Sequence, residues 1–211
     1  MSKTALITGA TGAIGNHLLT LLLASNDYEK VVYIGRQNLP EHTKLEQLIH
    51  PIEQWLDIKL ASPIDIAFCC LGTTIKQAGS KEAFKKVDLQ AVLDTAALAK
   101  QSGCEHFSVI SSAGVEGKLP SFYLDVKREM ETKLKAKNFK TLHTFRPSLL
   151  KGERNEFRLG ESAAELFFQA FSPLIPKKLL PVSTLSVARA MLHHAGNSEM
   201  RTKIISRETM D

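Results

Sequence analysis

Cysteine is scarce in this sequence. Three residues, Cys69, Cys70 and Cys104, occur in 211 positions, an odd count without metal-ligand spacing. That argues against a disulfide-stapled scaffold and against a zinc site, and leaves Cys69 and Cys70 as small hydrophobes in an apolar run. Long hydrophobic stretches are lacking too. The longest, Leu18 to Ala24, is interrupted by Thr20 and closed by Asn26-Asp27, well short of the ~18 residues that a membrane span needs. No fixed-period repeat and no low-complexity segment is present. The seven histidines are scattered, and His193-His194, being adjacent, diverge on a helix. No metal site is therefore expected. A glycine turn stands where a signal peptide would place its cleavage site, so no targeting segment and a cytoplasmic location are expected.

Positive charge is in excess, at +5, with a pI of about 9.1. Lys133, Lys135 and Lys137 interleave with Glu129 and Glu131 on a predicted helix, where Glu129–Lys133 and Glu131–Lys135 are i,i+4 pairs. This reads as a solvated helix face. Neither nucleic acid nor membrane is an expected partner, and the surplus charge suits an anionic cofactor.

What the chain does have is alternation. Thr4–Thr8, Lys30–Gly35, Leu45–His50, Asp65–Cys70, His106–Ser111, Thr141–Phe145 and Lys203–Ser206 read as strands. Ala13–Ala24, Ile52–Leu60, Ser80–Ser102, Pro120–Asn138, Ser162–Phe171 and Ser183–Ala195 read as helices, Ser80 capping one and Gly103 stopping it. Repeated βα units predict a doubly wound parallel α/β sheet, a Rossmann fold. One domain is expected over 1–211, with 150–211 adding a small lobe on the substrate side. Phe157, Phe167, Phe168 and Phe171 would line an apolar pocket there.

The first strand runs into Thr8-Gly9-Ala10-Thr11-Gly12-Ala13-Ile14-Gly15. Gly9 permits a tight turn, Gly12 lets backbone amides approach a pyrophosphate, and Gly15 lets helix and strand pack closely. The backbone N–H groups at Thr11, Ala13 and Ile14 stand at the head of the helix, where negative charge is favoured. At the end of the second strand stands Arg36, 21 residues after Gly15. An acidic residue there would hold the ribose diol of NAD, whereas a guanidinium suits a 2′-phosphate, so the reading favours NADP(H). Leu71-Gly72, after the fourth strand, should let the cofactor lie against the backbone.

Tyr123 and Lys127 share a helical face, and Ser111-Ser112 close the strand before it. Tyrosine can exchange a proton with a carbonyl oxygen, a nearby ammonium favours its phenolate, and a serine can hold the substrate oxygen. Ser111 and Ser112 are both candidates for that serine.

Together these motifs resemble the short-chain dehydrogenase/reductases. Ile34-Gly-Arg36, Phe68-Cys-Cys-Leu-Gly-Thr-Thr74, Val87-Asp88, Phe122-Tyr-x-x-Val-Lys127 and Phe145-Arg-Pro147 resemble the atypical branch of Tat-interacting oxidoreductase-like proteins. The resemblance implies NADP(H) binding, Tyr123 and Lys127 as the active pair, Ser112 over Ser111 as the serine that faces the substrate, and Leu150 and Arg158 beside the nicotinamide half. Two positions depart from the superfamily pattern. Asp88 stands where asparagine usually supports a proton relay, and His50-Pro51 where an aspartate usually helps bracket the adenine. Two functions are expected from this. The leading one is a reductase acting on a small carbonyl or alcohol. The alternative is a non-catalytic, cofactor-binding regulator that engages a protein partner.

Overall fold

In the computed structural model, residues 2–117, 120–151, 180–196 and 202–210 are described. Seven strands form one parallel sheet: β1 (Lys3–Thr8), β2 (Tyr28–Gly35), β3 (Leu45–Ile49), β4 (Ile66–Cys69), β5 (His106–Ile110), β6 (Thr141–Arg146) and β9 (Lys203–Ser206). Their spatial order is β3-β2-β1-β4-β5-β6-β9. The direction of growth reverses between β1 and β4, and a crevice opens at the carboxyl edge of such a switch point. The register sets Thr8 beside Ile34 on one side and beside Cys69 on the other, so three strands end together.

Apolar packing covers both faces, which is why the strands read as continuous apolar runs and not as alternating ones. One face carries α1 (Ala13–Ala24) and α6 (Thr184–Gly196), with Leu18, Leu22, Val187 and Met191 in a shared cluster. The other carries α4 (Ala91–Gln101) and α5 (Phe122–Lys135), packed around Trp55, Phe84, Phe107 and Met130. A smaller C-terminal lobe includes a two-stranded parallel ladder, β7 (Leu150–Lys151) with β8 (Val182–Ser183). Arg158, the four lobe phenylalanines and the helix expected over 162–171 lie outside the described residues.

Two helices differ from the sequence reading. Ile52–Leu60 is a 3-10 turn over Ile52–Asp57, anchored by Trp55, whose indole N–H donates to the His50 carbonyl at 3.1 Å. The helix expected over 80–102 begins and ends where its caps predict. The Ser80 hydroxyl accepts from the Ala83 N–H at 3.0 Å, and Gly103 takes φ +78°. Between those ends it is not uniform. α3 (Lys81–Lys85) leads into a π turn over Lys86–Gln90, which continues as α4, and a separate short helix, α2 (Ile75–Ala78), precedes the Ser80 cap. A π turn shifts helical phase and is favoured near functional sites. This one carries Asp88 into the interior.

Candidate active site

At the carboxyl edge the three glycines have distinct surroundings. Gly9 takes φ +76°, and a Cβ there would stand 2.5 Å from the Cys70 carbonyl carbon. A Cβ on Gly15 would fall 2.1 Å from the Gly9 oxygen. Both therefore allow β1, β4 and α1 to approach one another. Gly12 is more open, since its Cβ would meet the Gly9 oxygen at 3.2 Å and the Cys70 oxygen no closer than 4.0 Å. It caps α1, which has no side-chain cap and no acidic residue in its first turn. The opening N–H groups of a helix need an acceptor, and their partial positive charge favours an anion.

In front of this turn lies a groove of about 520 Å³. Gly9, Thr11 and Gly12 line one side, Cys70 to Thr73 the floor, and Pro51 to Glu53 the far wall. Ala13, Ile14 and Gly15 stand behind its mouth on the first turn of α1. Arg36 is exposed at one end, as its position after β2 requires. It shares that end with Glu53, which the sequence reading did not single out. Glu53 forms an ion pair with Lys86 across the groove. The Lys86 ammonium, with Arg36 adding to it, holds the Glu53 carboxyl below the usual carboxylate range. The residues after His50 thus do reach the groove, as wall and carboxylate.

Behind the floor, Asp88 is fully buried and uses both oxygens. Oδ2 accepts from the Thr73 N–H at 2.9 Å. Oδ1 lies 2.7 Å from the Lys127 ammonium, off the axis of a well-aligned hydrogen bond. Lys127 is itself 2% exposed. Tyr123, one turn earlier on α5, is half-buried with its ring 5.6 Å from that of Phe84. The carboxylate therefore ties the groove loop to the helix of the expected active pair.

The serines separate clearly. Ser111 is buried and donates to Glu131 Oε1 at 2.5 Å. Ser112 is half-buried and donates only to the Ala113 carbonyl, at 3.2 Å. Glu131 is not the solvated partner of Lys135 that the i,i+4 spacing suggested. It takes Arg146 in a two-pronged pair, at 3.0 Å from Nε and 2.7 Å from Nη2. Arg146 also reaches Glu116 on the loop after β5. Arg128 holds the same loop through the Val115 and Gly117 carbonyls, at 3.0 and 2.9 Å. Glu129–Lys133 is the expected exposed pair. Leu150 lies in the β7–β8 ladder and does not line the groove. Cys69 is buried, but Cys70 is only partly so and lines the groove floor. Burial pushes both thiols above their ordinary values, which does not suit a nucleophile.

The profile of the NAD dependent epimerase/dehydratase family matches residues 5–142. Protein HTATIP2 of Rattus norvegicus is 36% identical over 198 residues, covering 92% of this chain and 81% of its own. Mitochondrial protein FMP52 of Candida glabrata is 35% identical over 162 residues, covering 76% of this chain and 70% of its own. Among solved structures, the Bordetella bronchiseptica enzyme WbmH in complex with NAD+ superposes with a TM-score of 0.74 at 20% identity, covering 98% of this chain and 76% of that one. MoeE5 in complex with UDP-glucose and NAD gives 0.72 at 19% identity, covering 98% and 79%. Identities this low show a common fold.

Two expectations are corrected. NADP(H) gives way to NAD, the dinucleotide that the description of the matching family names. The physical reason is at hand in Glu53. Arg36 shares its end of the groove with the Glu53–Lys86 ion pair, so the guanidinium does not act alone there and arginine after β2 does not decide the matter. The cytoplasmic location is corrected as well, because the fungal relatives are mitochondrial proteins by name.

Proposed function

The chain belongs to the NAD dependent epimerase/dehydratase family, and on that footing we propose that it is an NAD-dependent oxidoreductase interconverting a secondary alcohol and a carbonyl. The observation that carries this is the uncapped N-terminus of α1 facing a groove whose floor is tied through Asp88 to Lys127. A pyrophosphate fits the α1 turn, because Gly12 leaves open space there and its backbone amides supply the donors. Leu71 and Gly72 would border the ribose, and Arg36 with Glu53 the adenosine end. NAD supplies reversible hydride transfer at its nicotinamide.

The chain's own residues then handle the proton. In our reading Tyr123 takes it from the substrate hydroxyl, or returns it to the carbonyl oxygen. Lys127 offsets the negative charge that develops on the phenol oxygen. Ser111 is held by Glu131, so Ser112 takes the serine's part, turning its hydroxyl from the Ala113 carbonyl to donate to the same substrate oxygen. The burial of Lys127 against Asp88 supports a second reading, a non-catalytic NAD-binding regulator with a protein partner.

Calorimetry with NAD and turnover followed at 340 nm test both readings. The substrate panel begins with simple carbonyls, UDP-glucose and UDP-glucuronic acid. Gly12→Val should abolish NAD binding by filling the pyrophosphate space. Tyr123→Phe should leave binding intact and lower turnover by roughly 10²–10⁴-fold, the usual worth of a positioned acid or base. NAD binding without turnover across the panel would leave the regulator. Unchanged binding in Gly12→Val would remove both readings.

A further inference from the structure

The opposite edge of the sheet, where the strands begin, encloses a second cavity of about 240 Å³. It is bounded by the first residues of β1, β4, β5 and β6 and by the end of α6. Lys3, Ser108, Thr141, His106, His143 and His194 contribute to its lining, and Asp65 is the one carboxylate among the lining residues. The histidines were scattered in sequence, but parallel strands start at one edge and α6 ends there, so three of them meet.

The lining is polar and incompletely satisfied. Among the described residues four buried side-chain atoms lack a hydrogen-bond partner, and three of these belong here: Ser108 Oγ, Thr141 Oγ1 and His143 Nε2. Ser108, Thr141 and His143 are 1%, 4% and 3% exposed. Buried polar atoms without partners are costly, and a polar cavity beside them marks room for a group that would serve them.

The electrostatics select the sign of that group. Burial lowers the His143 pKa to about 4, and the charges acting on it, from His194, Lys203 and His106, all push the same way. Burial, His193 and Lys203 lower His194. His106 is lowered by burial, Lys140 and Lys3, with Glu105 and Asp65 opposing. Asp65 is engaged, accepting from the Thr4 N–H at 2.7 Å, and Glu105 pairs with Lys140 at 3.5 Å. The charges acting on His143 and His194 are thus all cationic, whereas the carboxylates of Glu105 and Asp65 act on His106.

We infer that this cavity is a second ligand site, taking a small oxyanion together with a proton on the imidazole cluster. The two hydroxyls and the imidazole N–H groups are the donors, and Lys3 and Lys203 add attraction. An anion held there supplies the negative charge that lets His143 accept its proton, so binding and protonation reinforce each other. Nothing in this depends on the groove at the other edge.

The test is sulfate, whose charge is constant over the range used, titrated into the full chain at pH 7.5 and 5.5. The ring ¹H–¹³C signals of His143 and His194 report occupancy, and sulfate bound at the distant α1 turn would leave them still. Both signals should shift together, and binding should tighten by about tenfold per pH unit while the free cluster is neutral and the loaded one charged. His143→Gln keeps hydrogen-bonding capacity but cannot be charged, so its sulfate affinity should lose the pH dependence. If that variant does not fold, His194→Gln, at a half-exposed position, should reduce the dependence. Signals that do not move would mean the cavity holds water only, and an affinity independent of pH in the unaltered chain would mean no proton accompanies the anion; either would overturn the inference.

Discussion

Lys127 and Glu131 stand one turn apart on the buried face of α5 and meet their partners in different ways. Glu131 is closed. Two nitrogens of Arg146 and the Ser111 hydroxyl satisfy its carboxylate, and planar guanidinium and carboxylate match in shape. Lys127 is open. Its ammonium meets one oxygen of Asp88 off the preferred axis, while the other oxygen serves the groove loop. A fully satisfied pair fixes a backbone, here the ends of β5 and β6. An incompletely satisfied pair can exchange partners, which is what a group beside a cofactor groove needs.

Breaking the closed pair should have the largest effect. Arg146→Ala leaves Glu131 buried without its counter-charge and should cost about 3–5 kcal/mol, measured by urea unfolding. Replacing both members, Arg146→Met with Glu131→Leu, should cost less than the single change, because no charge is then stranded. Asp88→Asn should cost about 1.5–3 kcal/mol, since it keeps an acceptor for Thr73 but withdraws the charge facing Lys127. It should also weaken NAD binding, whereas Arg146→Ala should leave the affinity of the folded fraction unchanged. Equal effects of the two variants on NAD binding would erase the distinction drawn here.

His143 extends the comparison to a buried titratable group whose Nε2 has no partner at all. Its folded pKa of about 4 lies below the ordinary imidazole value of 6.5. The unfolded chain therefore binds more protons between those values, and stability is full above the upper one and falls as pH drops toward the lower. The loss should be on the order of 1–3 kcal/mol, discounted for solvent screening at the cavity rim. His143→Phe should flatten the unfolding free energy over that window. The exposed pair Glu129–Lys133 marks the lower limit, and Lys133→Ala should change stability by no more than about 0.5 kcal/mol.

Local signals were legible and long-range ones were not. The glycine turn, the Ser80 cap, the Gly103 stop and the late strand at Lys203–Ser206 depend on neighbouring residues, and their types announce them. The i,i+4 rule gave Glu131 the wrong partner because helical spacing fixes which face a residue is on. It does not say what packs on that face, and Arg146 arrives from a strand. The π turn has no marker in composition, so Asp88 was visible as an unusual residue but its contacts were not. Arg36 was weighed without Glu53, which reaches the groove only through a fold-back after β3. The histidine cluster draws on β5, β6 and α6, and no spacing rule spans those distances.

The packing of α6 on α1 has a consequence in time. These helices come from opposite ends of the described sequence, and contacts of such long separation form late because closing a long loop costs entropy before any contact offsets it. Until α6 docks, the side of α1 that meets Val187 and Met191 is open to water, and the glycine turn at its head rests on a helix covered on one side only. During refolding, helical signal should therefore return before the capacity to hold a dinucleotide, and the interval between them measures how long the two ends of the chain take to find each other.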